Sequence, residues 1–139
     1  MSAAESNLHR LDGPDAVHQA VTIARAFGES HALRSDSAVR LAILIEELVY
    51  NLIDHGGPSA GDDIRLGLLR ETFAVRIYLV DRGTPFDPRA APDDAAIPDR
   101  GGGAGLALVR AWAKIVDYRS ADGSNRLELI LPLNPIDES

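Results

Sequence analysis

Three short runs of residues carry side chains and glycines that could do chemistry together. The first is Glu47-Leu48-Val49-Tyr50-Asn51-Leu52-Ile53-Asp54-His55. Its Glu, Asn and His stand four apart and so line one face of a helix. A carboxylate there can act as a general base, and the amide oxygen of Asn51 is a hard ligand suited to Mg²⁺. The same three residues also fit solvated positions ending in a helix C-terminal histidine favoured by the macrodipole. The second run is Asp81-Arg82-Gly83-Thr84-Pro85-Phe86-Asp87-Pro88. An aspartate at a strand end, followed by glycine, can accept a hydrogen bond from an adenine amino group while the backbone stays close to the ring. Asp, Gly and Pro are also common turn residues, so a plain strand-ending turn is the competing reading.

The third run, Gly101-Gly102-Gly103-Ala104-Gly105-Leu106, leads into a helix. Glycines let backbone N–H groups approach phosphate, and a helix N-terminus adds a favourable field. The Lys-Ser/Thr ending of a Walker A loop is absent, and no strand immediately precedes the run, which excludes a Rossmann fingerprint. A flexible hinge remains open. Each run is weak alone. In this order, each at a sensible structural position, they describe a site for Mg²⁺-ATP.

The elements that must position these groups are legible in the periodicity. Residues 6–12 alternate weakly and suggest an edge strand. Residues 14–28 read as an amphipathic helix with Val17, Val21, Ala24 and Phe27 inward and Asp12 or Gly13 as cap. Ser35-Asp36-Ser37 starts a second helix, whose apolar face is built on Val39, Ile43 and Leu48, widened by Leu41, Leu44 and Leu52. It stops near His55, because Gly56-Gly57-Pro58 cannot continue it. Strands follow over 64–69 and 73–80, joined as a hairpin around 70–72. Residues 82–103 form a long proline-rich loop, of the kind usually functional. A third helix spans roughly 104–114, and a final hairpin, 116–119 and 126–131, turns at Asp122-Gly123. The order predicts an α+β fold: a two-layer sandwich of a mostly antiparallel, mixed sheet with helices on one face.

Composition narrows the class. The chain has 139 residues, 45% hydrophobic and 25% charged, without cysteine. That excludes disulfides, thiolate metal sites and cysteine nucleophiles, and residues 1–139 are expected to form one domain. The net charge of -7 argues against a nucleic-acid surface. The start shows no basic region followed by an apolar stretch, and the apolar-rich segment 41–53 contains Glu46, Glu47 and Asn51, so neither a secretory signal nor a membrane span is expected. The expected location is cytoplasmic.

These motifs resemble those of the GHKL, or Bergerat-fold, ATPases, and within them the RsbW-type anti-sigma factor serine kinases, over roughly residues 10–131. Glu47-x-x-x-Asn51-x-x-x-His55 is similar to the family's N box. Asp81-x-Gly83-x-Pro85-Phe86-Asp87-Pro88 is similar to its first glycine box, with Pro-Phe-Asp-Pro the most discriminating part. Gly102-Gly103-x-Gly105-Leu106-x-Leu108-Val109 is similar to the second, and the closing hairpin with Tyr118 and Asp122-Gly123-x-Asn125 also matches. The resemblance implies that Glu47 activates a partner serine and Asn51 holds Mg²⁺. Asp81 would read adenine beside Gly83, and Gly102, Gly103 and Gly105, running into Leu106, would cradle the phosphates of ATP. His55 would support the ribose or phosphate region. Arg100 could reach phosphate or a partner acid, or be a solvated lid residue. Glu46 points about 100° away from Glu47 around the helix. Implied partners are a small STAS-domain anti-anti-sigma factor and a sigma factor, with a homodimer usual. Many relatives carry an acid where this chain has Lys114, expected on the third helix, a departure that bears on partner contacts. Two other functions stay open at this point: a nucleotide-dependent binding module without kinase activity, and a GHKL hydrolase.

Overall fold

The computed structural model describes residues 8–11, 13–55, 63–85, 87–89 and 102–133, with backbone only at 55 and 102–106. In chain order the elements are β1 (His9–Leu11), a 3₁₀ turn at Gly13–Asp15, α1 (Ala16–Ser30), α2 (Ser35–His55), β2 (Ile64–Arg70), β3 (Ala74–Asp81), α3 (Gly102–Trp112), β4 (Lys114–Ala121) and β5 (Ser124–Pro132). The strands form one sheet in the order β1-β2-β3-β5-β4, and all four pairings are antiparallel. The α+β layout read from periodicity is borne out, and the sheet of the described strands is antiparallel throughout.

Alternation sets which sheet face is buried. Ile64 and Leu66 on β2, Val75, Ile77 and Leu79 on β3, and Leu127, Leu129 and Leu131 on β5 all join the core. They meet Ala16, Ala20 and Ala24 of α1, Leu41, Leu44, Ile45, Leu48 and Val49 of α2, and Val109 of α3. All three helices therefore cover the same face. Arg40 of α2 lies over the Trp112 ring, 5.9 Å from its centroid, which adds a cation–π contact between α2 and α3.

Several boundaries and faces differ from the sequence reading. The first strand is confined to His9–Leu11 among the described residues. The first helix begins at Ala16 behind the 3₁₀ turn, with Asp15 in the cap position and no side-chain cap bond, so Gly13 is not the cap, and Asp12 lies outside the described residues. Its inward seam is Ala16, Ala20, Ala24 and Gly28, while Val17 and Phe27 are only partly buried. Small side chains win that seam because they let α1 lie close against α2. At Gly28, a Cβ would come 3.3 Å from the Ala38 Cβ. Gly28→Val should therefore lower the free energy of unfolding by about 1–3 kcal/mol through overpacking, read by urea denaturation. On α2, Val39 is 54% exposed and Ser37, Leu41 and Ile45 point inward instead. Lys114 lies outside α3. The helix ends at Trp112, the Ala113 N–H closes onto the Val109 carbonyl at 2.9 Å, and Lys114 opens β4 opposite Ile130. The β-branched pair Ile115-Val116 suits a strand, and a bulge between Ile115 and Asp117 lets Val116 face outward.

Candidate nucleotide site

The strand-end half of the site is a hydrogen-bonded unit across three strands. Asp81 closes β3 on the same face as Val75, Ile77 and Leu79, so its carboxylate points into the layer between sheet and helices. Register places Asp81 opposite Asn125 of β5, and Asn125 opposite Ser120 of β4. Asp81 is 4% exposed and Asn125 3%. The Gly83 N–H donates to Asp81 Oδ2 at 3.0 Å, and Asn125 Nδ2 donates to the same oxygen at 3.2 Å. Asn125 Nδ2 also donates to the Gly83 carbonyl at 2.8 Å, and Ser120 Oγ is 2.7 Å from Asn125 Oδ1. Both of these bonds to Asp81 fall on Oδ2, so Oδ1 is the oxygen available to a ligand's N–H.

Burial raises the Asp81 carboxyl above the usual carboxylate range, and the bonds from Asn125 and Gly83 partly offset it. The two bonds hold the carboxylate in one orientation and leave the glycine backbone beside it. That arrangement can recognise a planar donor such as an exocyclic amine. Asn125 is the functional residue the sequence reading left without a role. Its signal was present: it takes an inward position on a strand whose other inward positions are Leu127, Leu129 and Leu131. Asn125→Ala removes the partner of two buried acceptors and should cost about 1–3 kcal/mol of stability, with nucleotide affinity falling roughly tenfold. Chemical denaturation and a nucleotide titration of the same preparation read both effects.

The helical half comes from the C-terminal half of α2. Glu47 is half-buried with its Oε2 enclosed, and Asn51, one turn on, is 7% exposed. The Asn51 Nδ2 is enclosed and meets no hydrogen-bond partner among the described residues. An unpaired buried amide is costly unless something completes it. A 180° turn of χ2 exchanges nitrogen for oxygen at that position, so the same amide can offer either a donor or a metal ligand. Among the described residues no group of three His, Asp or Glu side chains is placed to hold a metal. A Mg²⁺ here would fit the usual pattern of one or two protein ligands completed by phosphate oxygens and water. His55 ends α2 as expected, and its side chain lies outside the described residues.

The glycine run forms the third part. α3 begins at Gly102, two residues earlier than the sequence reading, so Gly102, Gly103 and Gly105 belong to the helix's first turn and Leu106 follows them. The first four N–H groups of any helix lack intrahelical acceptors, and here that turn is mostly glycine. Backbone donors at a helix N-terminus are suited to phosphate. Arg100 and most of the loop 82–103 lie outside the described residues. The root of that loop is described. Asp87 accepts the Arg89 N–H at 2.9 Å and pairs with its guanidinium at 2.8 Å, which lowers the Asp87 carboxyl. Arg110 of α3 donates to the Pro88 carbonyl at 2.9 Å and so ties the loop's start to the helix below the glycines. A separate groove between α1 and the start of α2, lined by Gly28, Leu33, Val39 and Ile43, contains none of these groups.

A buried strand-end acid, a Glu/Asn helix stripe and a glycine-started helix on one antiparallel α+β frame define a class of ATP-binding domain. The chain belongs to the histidine kinase-like ATPase domain family, whose model matches residues 12–131. The GHKL resemblance read from the motifs is thereby borne out, and the domain is of the kinase type. The serine/threonine-protein kinase BtrW of Bordetella bronchiseptica is 31% identical over 113 residues, covering 73% of this chain and 78% of BtrW. One chain of the Pseudomonas aeruginosa SiaB–SiaC complex superposes with a TM-score of 0.54 at 13% identity, over 91% of this chain and 89% of that one. The nucleotide-free catalytic domain of the histidine kinase ThkA superposes at 0.51 and 12% identity, over 94% and 99%. These two superpositions establish the fold. Among the described residues no helix is long and apolar enough to cross a membrane.

Proposed function

We propose that residues 1–139 form an ATP-dependent protein serine kinase that is also an anti-sigma factor. It would phosphorylate a STAS-type anti-anti-sigma factor and sequester a sigma factor in a partner switch, in the cytoplasm and as a homodimer. The observation that carries the catalytic part is Glu47, a half-buried carboxylate one turn before Asn51 on the same stripe of α2. A module that merely bound nucleotide would need no base at that position. The likeness to BtrW, a serine/threonine-protein kinase, supports a side-chain hydroxyl of a protein as the acceptor.

Asp81 Oδ1 accepts the adenine amino group, with Gly83 against the ring. The N–H groups of Gly102, Gly103 and Gly105 take phosphate oxygens, and Asn51 contributes a ligand to Mg²⁺. The metal, when bound, neutralises phosphate charge and fixes the triphosphate's orientation. Glu47 accepts the proton of the partner's serine as its Oγ attacks the γ-phosphorus. The bond from that phosphorus to the β–γ bridging oxygen breaks, giving phosphoserine and ADP. Positioning and charge neutralisation supply most of the rate in such transfers, and a base in hydrogen-bond reach adds to it. The phosphoserine then carries roughly -1.5 to -2 charges next to a chain of net charge -7, which favours release.

Incubating the chain with γ-labelled ATP and a STAS-domain partner tests this reading. Label recovered on a partner serine is the expected result. Measurable ATP binding with no label on the partner would favour the binding-module alternative.

A further inference from the structure

The helix-free face of the sheet carries a row of arginines that neither the core nor the nucleotide site uses. Cross-strand register sets Arg10 opposite Arg65, Arg65 opposite Val80, Val80 opposite Arg126, and Arg126 opposite Arg119. Four arginines thus share one line across all five strands. All four are exposed. Their chain neighbours Leu11, Ile64, Leu66 and Leu127 fill the core from the opposite face. At about 4.8 Å per strand the row is about 19 Å long. Arg82, just past β3, joins the same corner, where its Nε lies 3.1 Å from Asp63.

Sheet stability gives no reason for this arrangement. Two of the pairings set Arg directly against Arg, and like charges in that position destabilise a sheet. Asp63 moderates one pair, at 3.0 Å from Arg65 and 3.7 Å from Arg10. The Arg65 bond, foremost, holds its carboxyl below the usual range. Asp117 moderates the other pair, at 2.8 Å from Arg119. Further along the face, Glu128 stands opposite Asp117, and Glu71 and Glu128 are engaged with Arg76. Five arginines gather at this corner, and Asp63 and Asp117 stand within 3.7 Å of four of them, on a chain whose total charge is -7. Charge is separated here, with the basic residues gathered on one sheet face.

We propose that this face docks an acidic partner protein, with carboxylates spaced along the arginine row. Guanidinium forks pair with carboxylates in a bidentate geometry, and a row set at strand spacings suits a helix or strand presenting several acids in line. Nucleic acid fits less well. Its continuous phosphate charge would be carried across a strongly negative protein, whereas a protein's acidic patch acts only within a Debye length of about 10 Å. The inference needs no nucleotide and stands apart from the kinase reading.

The probe is a fluorescent deca-glutamate peptide titrated into the full chain at low salt, with an equally long single-stranded oligonucleotide in parallel. The expected result is saturable peptide binding that weakens with salt and falls at least tenfold in Arg119→Glu/Arg126→Glu. The control Arg25→Glu, on the helical layer, should keep peptide affinity within about twofold. Neither substitution touches the nucleotide site, so ATP affinity should be unchanged in both. If the double reversal does not fold, Arg119→Gln/Arg126→Gln serves, with at least a threefold loss expected. Peptide affinity indifferent to the row, no peptide binding at all, or tighter binding of the oligonucleotide would overturn the proposal. Self-association of the wild type that the double variant abolishes would assign the face to a second copy and overturn it equally.

Discussion

Asp81→Asn is expected to weaken ATP binding by about a hundredfold or more while leaving the fold as stable as before. Asp81 Oδ2 already receives the Gly83 N–H and Asn125 Nδ2. An asparagine must turn its oxygen toward those two donors, which places its own NH₂ where Oδ1 meets the adenine amino group. Donor then faces donor. A lost hydrogen bond plus an unpaired buried group costs about 3 kcal/mol in such sites, which corresponds to a hundredfold or more. The stability expectation comes from linkage. Burial raises the folded carboxyl above its unfolded value. The folded state therefore holds the proton more tightly, and stability declines as pH rises from the unfolded value through the folded one. The amide carries no charge, so at neutral pH the variant should melt at the same temperature as wild type or higher. That advantage should shrink as pH is lowered through the carboxylate range. Calorimetric titration with ATP and thermal melts at two pH values read both effects. Unchanged nucleotide affinity would remove Asp81 from the adenine site.

Glu47→Gln should abolish phosphoryl transfer while sparing nucleotide binding. The substitution keeps the side chain's size on a half-buried position of α2 and removes only its capacity to take a proton. Loss of a positioned general base costs about 10²- to 10⁴-fold in rate, and ATP affinity should stay within a few-fold. Glu46→Gln is the internal control, since that carboxylate points about 100° away around the helix and should leave transfer intact. Single-turnover transfer to the partner, measured beside ATP affinity, separates the two. A Glu47→Gln rate equal to wild type would leave the proton to another acceptor and take the base out of the mechanism.

The parts of this molecule that were legible in the sequence are those in which one side chain's character decides its place. Ile64-x-Leu66 and Val75-x-Ile77-x-Leu79 alternate cleanly, so the pattern places β2 and β3 to within about a residue at each end. Gly56-Gly57-Pro58 stopped the second helix where α2 ends, at His55. Helix faces were harder. In α2 the run from Leu41 to Ile45 is apolar on every side and so marks no face, and Val39, apolar and at helical spacing, is nevertheless largely exposed. In α1 the inward seam is alanine and glycine, whose burial depends on how near the neighbouring helix comes, a tertiary quantity. For the third helix the sequence pattern runs late at both ends: glycines at its start suggest a loop, and Lys114 continues the helical pattern although the chain has already turned into β4. Two features needed register. Asn125 becomes a partner of Asp81 only when β3 and β5 pair, and the arginine row exists only once five strands are aligned.

An acid and an amide from the second helix, a strand-end carboxylate and a glycine-started helix are expected to close on one nucleotide. A crystal structure with Mg²⁺ and a non-hydrolysable ATP analogue tests it most directly. The expected result is one nucleotide per chain, its adenine amino group against Asp81 Oδ1, its phosphates at the start of α3 and its metal touching Asn51. A nucleotide bound with its adenine away from Asp81, or phosphates remote from both Asn51 and Gly102, would show that these groups do not form one site.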